Sequence, residues 1–475
     1  MDAVRTVAKN TAALVGAEGV SRVLTFLVTL YIARSLGAEA LGRYSFALAF
    51  AALFRIFADM GLNTLTTREV ARDHGSAGKY LSNLLAMKLI LGPITFFLVY
   101  VAILITGKPG ELRHLVYVAS LWIWMDSLGV LVQSVFSAFE SMEYVALLNV
   151  VEKAVLFGVS FWALLSDVSW KLIWLLAAYP LASLFAFLLG LAILAKRGVQ
   201  VGIGADGRFW VDVMRAGWPF ALMGIFGGVY LYTDRVLLSL IGGEDEVVGW
   251  YTAAAKVFWT VYALQAFFYR ALFPTASKAY GESVGQYRRV LRRAGRLMFS
   301  YTIPASTVGI LLAPWVVRSF YGEGYAPAIP VLQILIVNLV LRGWTGLYGG
   351  SVLNVTGRQR DFMYAVGLGA IVNVVLDITL IPSMSLRGVA LATVCAEGVV
   401  GLVAYLKARR TFELPIAYIW KPVLASGVMA MFWFCGRGTV WVLCGLGAFV
   451  GIFWLTGCVR RQDVGFLMAS LRRMA

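Results

Sequence analysis

Ionisable side chains interrupt the long apolar runs of this sequence, and they are the residues that could do chemistry. A charge at the middle of a membrane span costs roughly 2.5–3.5 kcal/mol on insertion scales, so it persists where it has a partner or faces water. By position, the cations are Arg22, Arg55, Arg235, Lys256, Arg270 and Arg342. The acids are Glu18, Asp59, Asp126, Glu152, Asp234, Asp377 and Glu397, and Lys153 follows Glu152.

Helical spacing decides which of these charges can neutralise each other. Residues four apart share a helix face, so Glu18 can pair with Arg22 and Arg55 can pair with Asp59. For these four residues a structural ion pair and a binding role both stay open.

Other charges have no such partner on their own helix. The neighbours Asp234 and Arg235 point about 100° apart and cannot easily face one partner together. Lys256 and Arg342 have no acid three or four residues away. Each needs a polar cavity or an acid from another helix, and the candidate acids are Asp126, Asp377 and Glu397.

Cations in both halves of the chain favour an anionic ligand. Arg and Lys bind phosphate oxygens through charge-assisted hydrogen bonds, whereas a positively lined site suits a cationic drug poorly. The aromatic run FWTVYALQAFFYR, residues 258–270, could stack sugar rings or pack in the bilayer. Asp126, Asp377 and Glu397 are the candidate positions for a coupling ion, Na⁺ or H⁺, although nothing in the sequence requires one.

The elements that position these charges are membrane-spanning helices. The chain has 475 residues, of which 60% are hydrophobic and 14% are charged, whereas soluble chains are nearer about 25% charged. Apolar runs of about 20 residues fit helices rather than barrel strands, because lipid offers the backbone no partners. The sequence predicts fourteen spans at about 11–35, 40–60, 80–106, 114–138, 145–166, 171–195, 215–241, 249–271, 297–317, 327–350, 362–382, 387–407, 415–435 and 439–458.

Basic residues predict the orientation. Lys and Arg favour cytoplasmic segments. Most of them fall in the segments on the same side of the membrane as the N-terminus, and Lys88, in the first part of the third span, is counted with these segments. Both termini are therefore expected in the cytoplasm and the loop GGEDEVV outside. The net charge of +16 follows from this bias, so no nucleic-acid partner is predicted. The arginine pairs of residues 286–296 predict a helix on the inner leaflet or a site for an acidic headgroup.

An internal repeat predicts two lobes. Residues 31–44, YIARSLGAEALGRY, are echoed within residues 232–251, YTDRVLLSLIGGEDEVVGWY. Each phrase joins the first two helices of a six-helix unit, so the halves share one orientation and form lobes at 1–205 and 206–411 with a cleft between them. Residues 412–475 add two helices and a basic tail. The repeated glycines predict tight outer turns and close helix starts.

Several function classes find no support in the sequence. There is no phosphate-binding glycine loop ending in Lys-Ser or Lys-Thr, so the protein is not expected to hydrolyse ATP. Four cysteines in or beside apolar runs and two histidines in predicted loops indicate no disulfide framework and no metal site. No outer loop is long enough for a membrane glycan polymerase or ligase, which is the least favoured alternative.

Four stretches in order resemble a known family. They are ARSLGAEALGRY (33–44), FADMGLNTLTTREVAR (57–72), TDRVLLSLIGGEDEVVGWY (233–251) and NVVLDITLIPSMSLRGVALATVCAE (373–397). The chain resembles the polysaccharide transporters, or oligosaccharidyl-lipid flippases (Wzx-like), of the multidrug/oligosaccharidyl-lipid/polysaccharide flippase superfamily. The resemblance implies two six-helix lobes forming a V-shaped cleft. It also implies alternating access and a cargo of polyprenyl-phosphate- or pyrophosphate-linked oligosaccharide, moved from the cytoplasmic to the outer leaflet.

The resemblance also implies roles for particular residues and partners. Lipid II flippases of this superfamily carry essential arginines on spans 1, 2 and 8, where this sequence has Arg22, Arg55 and Lys256; the lysine departs from the pattern. Their last two helices border a lipid-tail groove, while packing against the second lobe is equally open for this chain. A monomer in the plasma membrane is expected, with membrane lipids and glycosyltransferases or a polymerase of the same pathway as partners. A cation-coupled multidrug exporter of the same fold is the alternative.

Overall fold

In the computed structural model, which describes residues 2–415 and 417–435, every regular element is helical, as the apolar runs predict. The helices are α1 (Asp2–Leu53), α2 (Arg55–Asp59), α3 (Leu62–Arg72), α4 (Ala77–Ile105), α5 (Gly110–Ala138), α6 (Met142–Leu165), α7 (Lys171–Lys196), α8 (Gly207–Gly242), α9 (Asp245–Glu282), α10 (Val284–Tyr321), α11 (Ala328–Ile336), α12 (Asn338–Thr345), a π-helical stretch (Gly346–Leu353), α13 (Gln359–Ala408) and α14 (Ala417–Cys435).

The predicted all-helical membrane architecture is confirmed. Among the described residues, nine helical segments are long and apolar enough to cross a bilayer; α9 is not among them. Two of the nine are interrupted, α1 at Gly37 and α13 at Ser385, so each can contain two spans. Every predicted span up to residue 435 overlaps a helix. The count of fourteen stays a prediction, because residues 439–458 lie outside the described residues.

The second predicted span differs from the expected single helix. α1 ends at Leu53, and the five-residue α2 follows a break at Phe54. Left-handed backbone at Met60 (φ 48°) and Gly61 (φ 76°) then separates α2 from α3. A Cβ on Gly61 would lie 2.6 Å from the carbonyl oxygen of Gly217, so α8 approaches this turn closely. The span is therefore a broken helix, which the apolar run alone did not reveal.

Contacts divide the chain into two compact units, Met1–Thr252 (unit 1) and Ala253–Ala475 (unit 2). In unit 1, α5 packs against α4 and α7, and α1 packs against α6. In unit 2, α10 packs against α11 and α14, and α12 packs against α13. The lobe boundary predicted at residue 205 rests on the sequence repeat and stays a prediction.

The two copies of the repeat contact each other inside unit 1. A Cβ on Gly42 would lie 1.7 Å from the carbonyl oxygen of Asp245, and one on Gly249 would lie 1.9 Å from that of Ala38. The contact is reciprocal: Gly42 faces the carbonyl four residues before Gly249, and Gly249 faces the carbonyl four residues before Gly42. Close backbone approach of this kind is how small residues bring membrane helices together. Gly37 (φ 84°) makes the predicted turn, whereas Gly42 and Gly249 serve the crossing.

Arg43, next to this crossing, contacts three acidic side chains. Nε of Arg43 is 3.0 Å from Asp245, and its two Nη atoms contact Glu39 at 2.6 Å and Glu111 at 3.5 Å. The side chain of Arg43 is one-third exposed, so these pairs contribute little stability each. The contact with Asp245 joins α1 to α9 beside the glycine crossing.

The arginine pairs of residues 286–296 form the first turns of α10. Arg288, Arg289, Arg292 and Arg293 are exposed, while Tyr287 on the opposite face is fully buried. One face of the segment is therefore exposed and the other is buried, and the segment continues directly into the helix of span 9. It is not a separate surface helix.

Candidate functional site

The break after α1 places an arginine against an acid of another helix. An Nη atom of Arg55, in α2, lies 2.5 Å from Oδ2 of Asp126, in α5. The Arg55 side chain is 39% exposed and that of Asp126 is 12% exposed. The Arg55–Asp59 ion pair that the spacing allows does not form. The two residues share a short helix, but each finds a closer partner on α4 or α5.

Asp59 pairs with Lys88, which the basic-residue bias groups with the cytoplasmic segments. Nζ of Lys88 lies 2.9 Å from Oδ1 of Asp59 and 2.6 Å from Oγ of Ser127. The hydroxyl of Ser127 donates to the carbonyl of Ala58 at 2.8 Å. The Lys88 side chain has no exposed surface, so Lys88 is an intramembrane cation. The sequence signal for this role is the position of Lys88 inside the predicted third span.

A second polar layer lies beside this cluster in unit 1. Nζ of Lys153 is 2.7 Å from Oε1 of Glu152, and the hydroxyl of Ser183 donates to the same oxygen at 3.4 Å. Asp126 lies close enough to Lys153 to attract it, and Glu152 likewise attracts Arg55. Cations and acids therefore alternate through the interior of unit 1, which lowers the cost of keeping each charge there.

The tyrosines of the two repeat copies extend this polar interior. The hydroxyls of Tyr44 and Tyr179 lie 2.7 Å apart and are buried. The equivalent residue of the second copy, Tyr251, donates to Oδ2 of Asp234 at 2.5 Å. Asp234 is buried at 6% exposure, whereas its neighbour Arg235 is half-buried. The adjacent charges thus point in different directions, as their spacing predicts.

Arg22 keeps the partner that its spacing predicts. Its guanidinium contacts Oε1 of Glu18 at 2.7 Å within α1. Both side chains are about one-third exposed, so this pair is more open than that of Lys88. Lys256 is half-buried in α9, and Arg270 is exposed near the middle of the same helix.

In unit 2, Arg342 is enclosed by one acid and two aromatic rings. Its Nη2 lies 3.3 Å from Oε2 of Glu397, and the two side chains are 13% and 5% exposed. The guanidinium carbon also lies 4.8 Å from the ring centre of Trp259 and 5.0 Å from that of Tyr262. Part of the aromatic run therefore holds an arginine by cation–π contacts. Of the candidate acids, Glu397 is the one found beside Arg342.

Asp377 lies elsewhere in unit 2 and has no exposed surface. Asn373 is one turn earlier in α13 and is 1% exposed, so the two side chains share a helix face. Among the described residues, no group of three or more His, Cys, Asp or Glu could hold a metal ion. The predicted cleft between the lobes stays a prediction.

Comparisons with known proteins agree with this fold. The model of the polysaccharide biosynthesis protein family matches residues 7–280, and that of the lipid II flippase MurJ matches residues 158–457. A putative O-antigen transporter of Shigella dysenteriae is 23% identical over 377 residues, covering 78% of this chain and 92% of its own. A putative O-antigen transporter of Shigella flexneri is 23% identical over 320 residues, covering 65% of this chain and 75% of its own.

Solved structures of transporters share the fold. A lipid II flippase MurJ in an inward closed conformation has a TM-score of 0.79 at 16% identity, covering 94% of this chain and 98% of its own. An inward-facing multidrug resistance MATE family transporter has a TM-score of 0.68 at 18% identity, covering 85% and 97%.

The helical fold, the two matching family models and the transporter relatives together define a multi-pass integral membrane transporter of the flippase type. The chain belongs to the polysaccharide biosynthesis protein family, the Wzx-like flippases, whose model matches more than half of it. Its relatives are transporters and flippases rather than catalysts, so the polymerase or ligase alternative is set aside.

Proposed function

We propose that the protein moves a polyprenyl-phosphate- or pyrophosphate-linked oligosaccharide from the cytoplasmic to the outer leaflet of the plasma membrane by alternating access. The family supports this cargo class, since the matching relatives are O-antigen transporters and a lipid II flippase. The observation that carries the proposal is Arg55, whose side chain is partly exposed and whose guanidinium contacts Asp126.

The geometry of Arg55 suits a phosphate. A guanidinium carries five N–H donors in a planar fork, and the contact with Asp126 is made by one Nη atom. The remaining donors can therefore bind phosphate oxygens while Asp126 keeps the fork oriented, and such charge-assisted bonds are stronger than neutral ones. Arg22, Lys256, Arg235, Arg270 and Arg342 are the other proposed cationic contacts for the phosphate and glycan.

An inside-negative membrane potential would favour outward movement of this cargo. Moving one negative charge across 100 mV contributes about 2.3 kcal/mol. Coupling to Na⁺ or H⁺ is a separate part of the proposal, with Asp126, Asp377 and Glu397 as candidate positions. Asp126 and Glu397 each contact an arginine.

The test is translocation in proteoliposomes that contain a defined fluorescent lipid-linked oligosaccharide. Arg22→Ala, Arg55→Ala and Lys256→Ala should each lower the rate by at least about tenfold, because a charge-assisted bond contributes about 1.5–3 kcal/mol. The amount of inserted protein should not change. Arg289→Ala, at an exposed position of α10, is the matched control and should keep the wild-type rate.

The same vesicles distinguish the alternatives. A drug exporter would move a cationic dye and leave the lipid-linked sugar in place, and imposed Na⁺ and pH gradients would reveal coupling. Wild-type glycan translocation in all three alanine variants would refute the cationic-site assignment.

A further inference from the structure

The segment that carries Arg55 is isolated in the chain. α2 has five residues, with a break at Phe54 before it and left-handed backbone at Met60 and Gly61 after it. Broken helices in transporters often border binding sites. A helix of a single turn has little stability of its own, so contacts with neighbouring helices must fix its position.

Two adjacent residues of α5 supply those contacts. Asp126 holds Arg55, at the start of α2, and Ser127 donates to the carbonyl of Ala58 near its end. Lys88 then joins the second contact to α4, because its ammonium donates to both Asp59 and Ser127. Polar contacts thus hold α2 at each end. The residues that make them are connected, because Asp126 and Ser127 are neighbours in α5 and Lys88 contacts Ser127.

The backbone around Lys88 is itself fixed. The indole nitrogen of Trp124, in α5, donates to the carbonyl of Lys88 at 3.1 Å. A Cβ on Gly92 would lie 2.1 Å from the same indole ring, so α4 and α5 are in close contact here. The Lys88 side chain therefore extends from the closely packed α4–α5 contact to Asp59 in α2.

We propose that Lys88 is a positioning residue, which fixes α2 so that Arg55 is presented to the phosphate of the cargo. This rests on the proposed function. The Lys88 side chain is fully buried and that of Asp59 is 24% exposed. A buried ion pair is seldom the most stable solution, since apolar residues of similar volume often do as well or better. Stability alone therefore gives no reason to bury Lys88. A defined position for α2 does give one.

The contact also affects Asp59. Lys88 provides Asp59 with a covalently attached cation at 2.9 Å, in the place where a coupling ion would bind. Asp59 is therefore assigned to the positioning of α2 and not to ion coupling. Removing the ammonium alone leaves a partly buried carboxylate without this partner, so the informative variant neutralises both groups.

The first experiment measures the position of residue 55 without using transport. Arg55→Cys is introduced into a chain whose four native cysteines are replaced by alanine, with and without Lys88→Met and Asp59→Asn together. The labelling rate of Cys at position 55 by a water-soluble maleimide should change several-fold in the double variant. Arg270→Cys, on an exposed site of α9, is the matched control and should label equally in both backgrounds. An unchanged rate at position 55 would overturn the proposal.

The second experiment measures transport with Arg55 intact. Lys88→Met with Asp59→Asn should raise the apparent KM for the lipid-linked sugar by roughly tenfold, as a small displacement of a binding group can. The maximal rate and the melting temperature should stay near wild type. A purely structural pair would leave KM unchanged once both charges are neutralised, and that result would overturn the proposal.

Ser127→Ala covers the case in which the double variant does not insert. It removes one contact of Lys88 and the hydrogen bond to Ala58 while keeping the Lys88–Asp59 pair. It should also raise KM, and a wild-type KM would count against Lys88 as a positioning residue. If Arg55→Ala itself transports normally, the assignment of Arg55 to the cargo phosphate fails, whereas the labelling experiment still decides whether Lys88 positions α2.

Discussion

At the scale of single residues, the intramembrane cations of this protein are held in two ways. Arg55 and Lys88 contact acids of neighbouring helices, whereas Arg342 is enclosed by Glu397 and the rings of Trp259 and Tyr262. Both arrangements orient a charged group in a region where water is scarce. The two arrangements also differ in exposure, since the Arg55 side chain is 39% exposed and the Arg342 side chain is 13% exposed.

The Arg342–Glu397 pair gives a prediction at this scale. Glu397→Gln should lower the stability of the protein by about 3–5 kcal/mol, because breaking a buried pair from one side leaves the other charge in an apolar setting. Arg342→Met combined with Glu397→Gln should lose clearly less. Thermal unfolding of the purified protein in detergent measures both. Arg342→Met alone is measured in the same way. If the double variant loses as much stability as the two single variants added together, the residues do not act as a pair.

At the scale of elements, the repeat copies form a crossing between α1 and α9. Gly42 and Gly249 each face a backbone carbonyl at a distance that leaves no room for a side chain. The nearby Arg43 contacts Asp245 from α9 and Glu111 from α5. The duplication that marks the sequence is therefore also a contact in the fold.

The crossing predicts the effect of adding one methyl group. Gly42→Ala and Gly249→Ala should each destabilise the protein by about 1–3 kcal/mol, because α1 and α9 must move apart. Gly19→Ala, also in α1, is the matched control, since a Cβ there has nothing within 4 Å. It should be neutral or slightly stabilising through helix propensity. Equal melting temperatures for all three variants would contradict the close crossing.

At the scale of the whole molecule, the fold is that of MurJ and MATE transporters, and the distribution of basic residues predicts its orientation. Two exposed positions test that prediction, Ala205 before α8 and Glu244 between α8 and α9. In intact cells with a cysteine-free background, Glu244→Cys should react with a membrane-impermeant maleimide and Ala205→Cys should not. Reaction of Ala205→Cys alone would reverse the topology.

The sequence by itself determined the class of protein. Long apolar runs must become helices in lipid because every backbone N–H and C=O needs a partner within its own segment. The repeat of residues 31–44 was visible in sequence because both copies use the same small residues. The Glu18–Arg22 pair could likewise be predicted, since residues four apart meet on one helix.

Only the tertiary structure decided which charges meet across helices. Arg55 bonds Asp126 rather than Asp59, and Asp59 bonds Lys88. Spacing along the chain carries no signal for such pairs, because helix packing and the break at Phe54 set them. Sequence periodicity reports the faces of a single helix, whereas the partner of a buried charge depends on which faces of other helices pack against it.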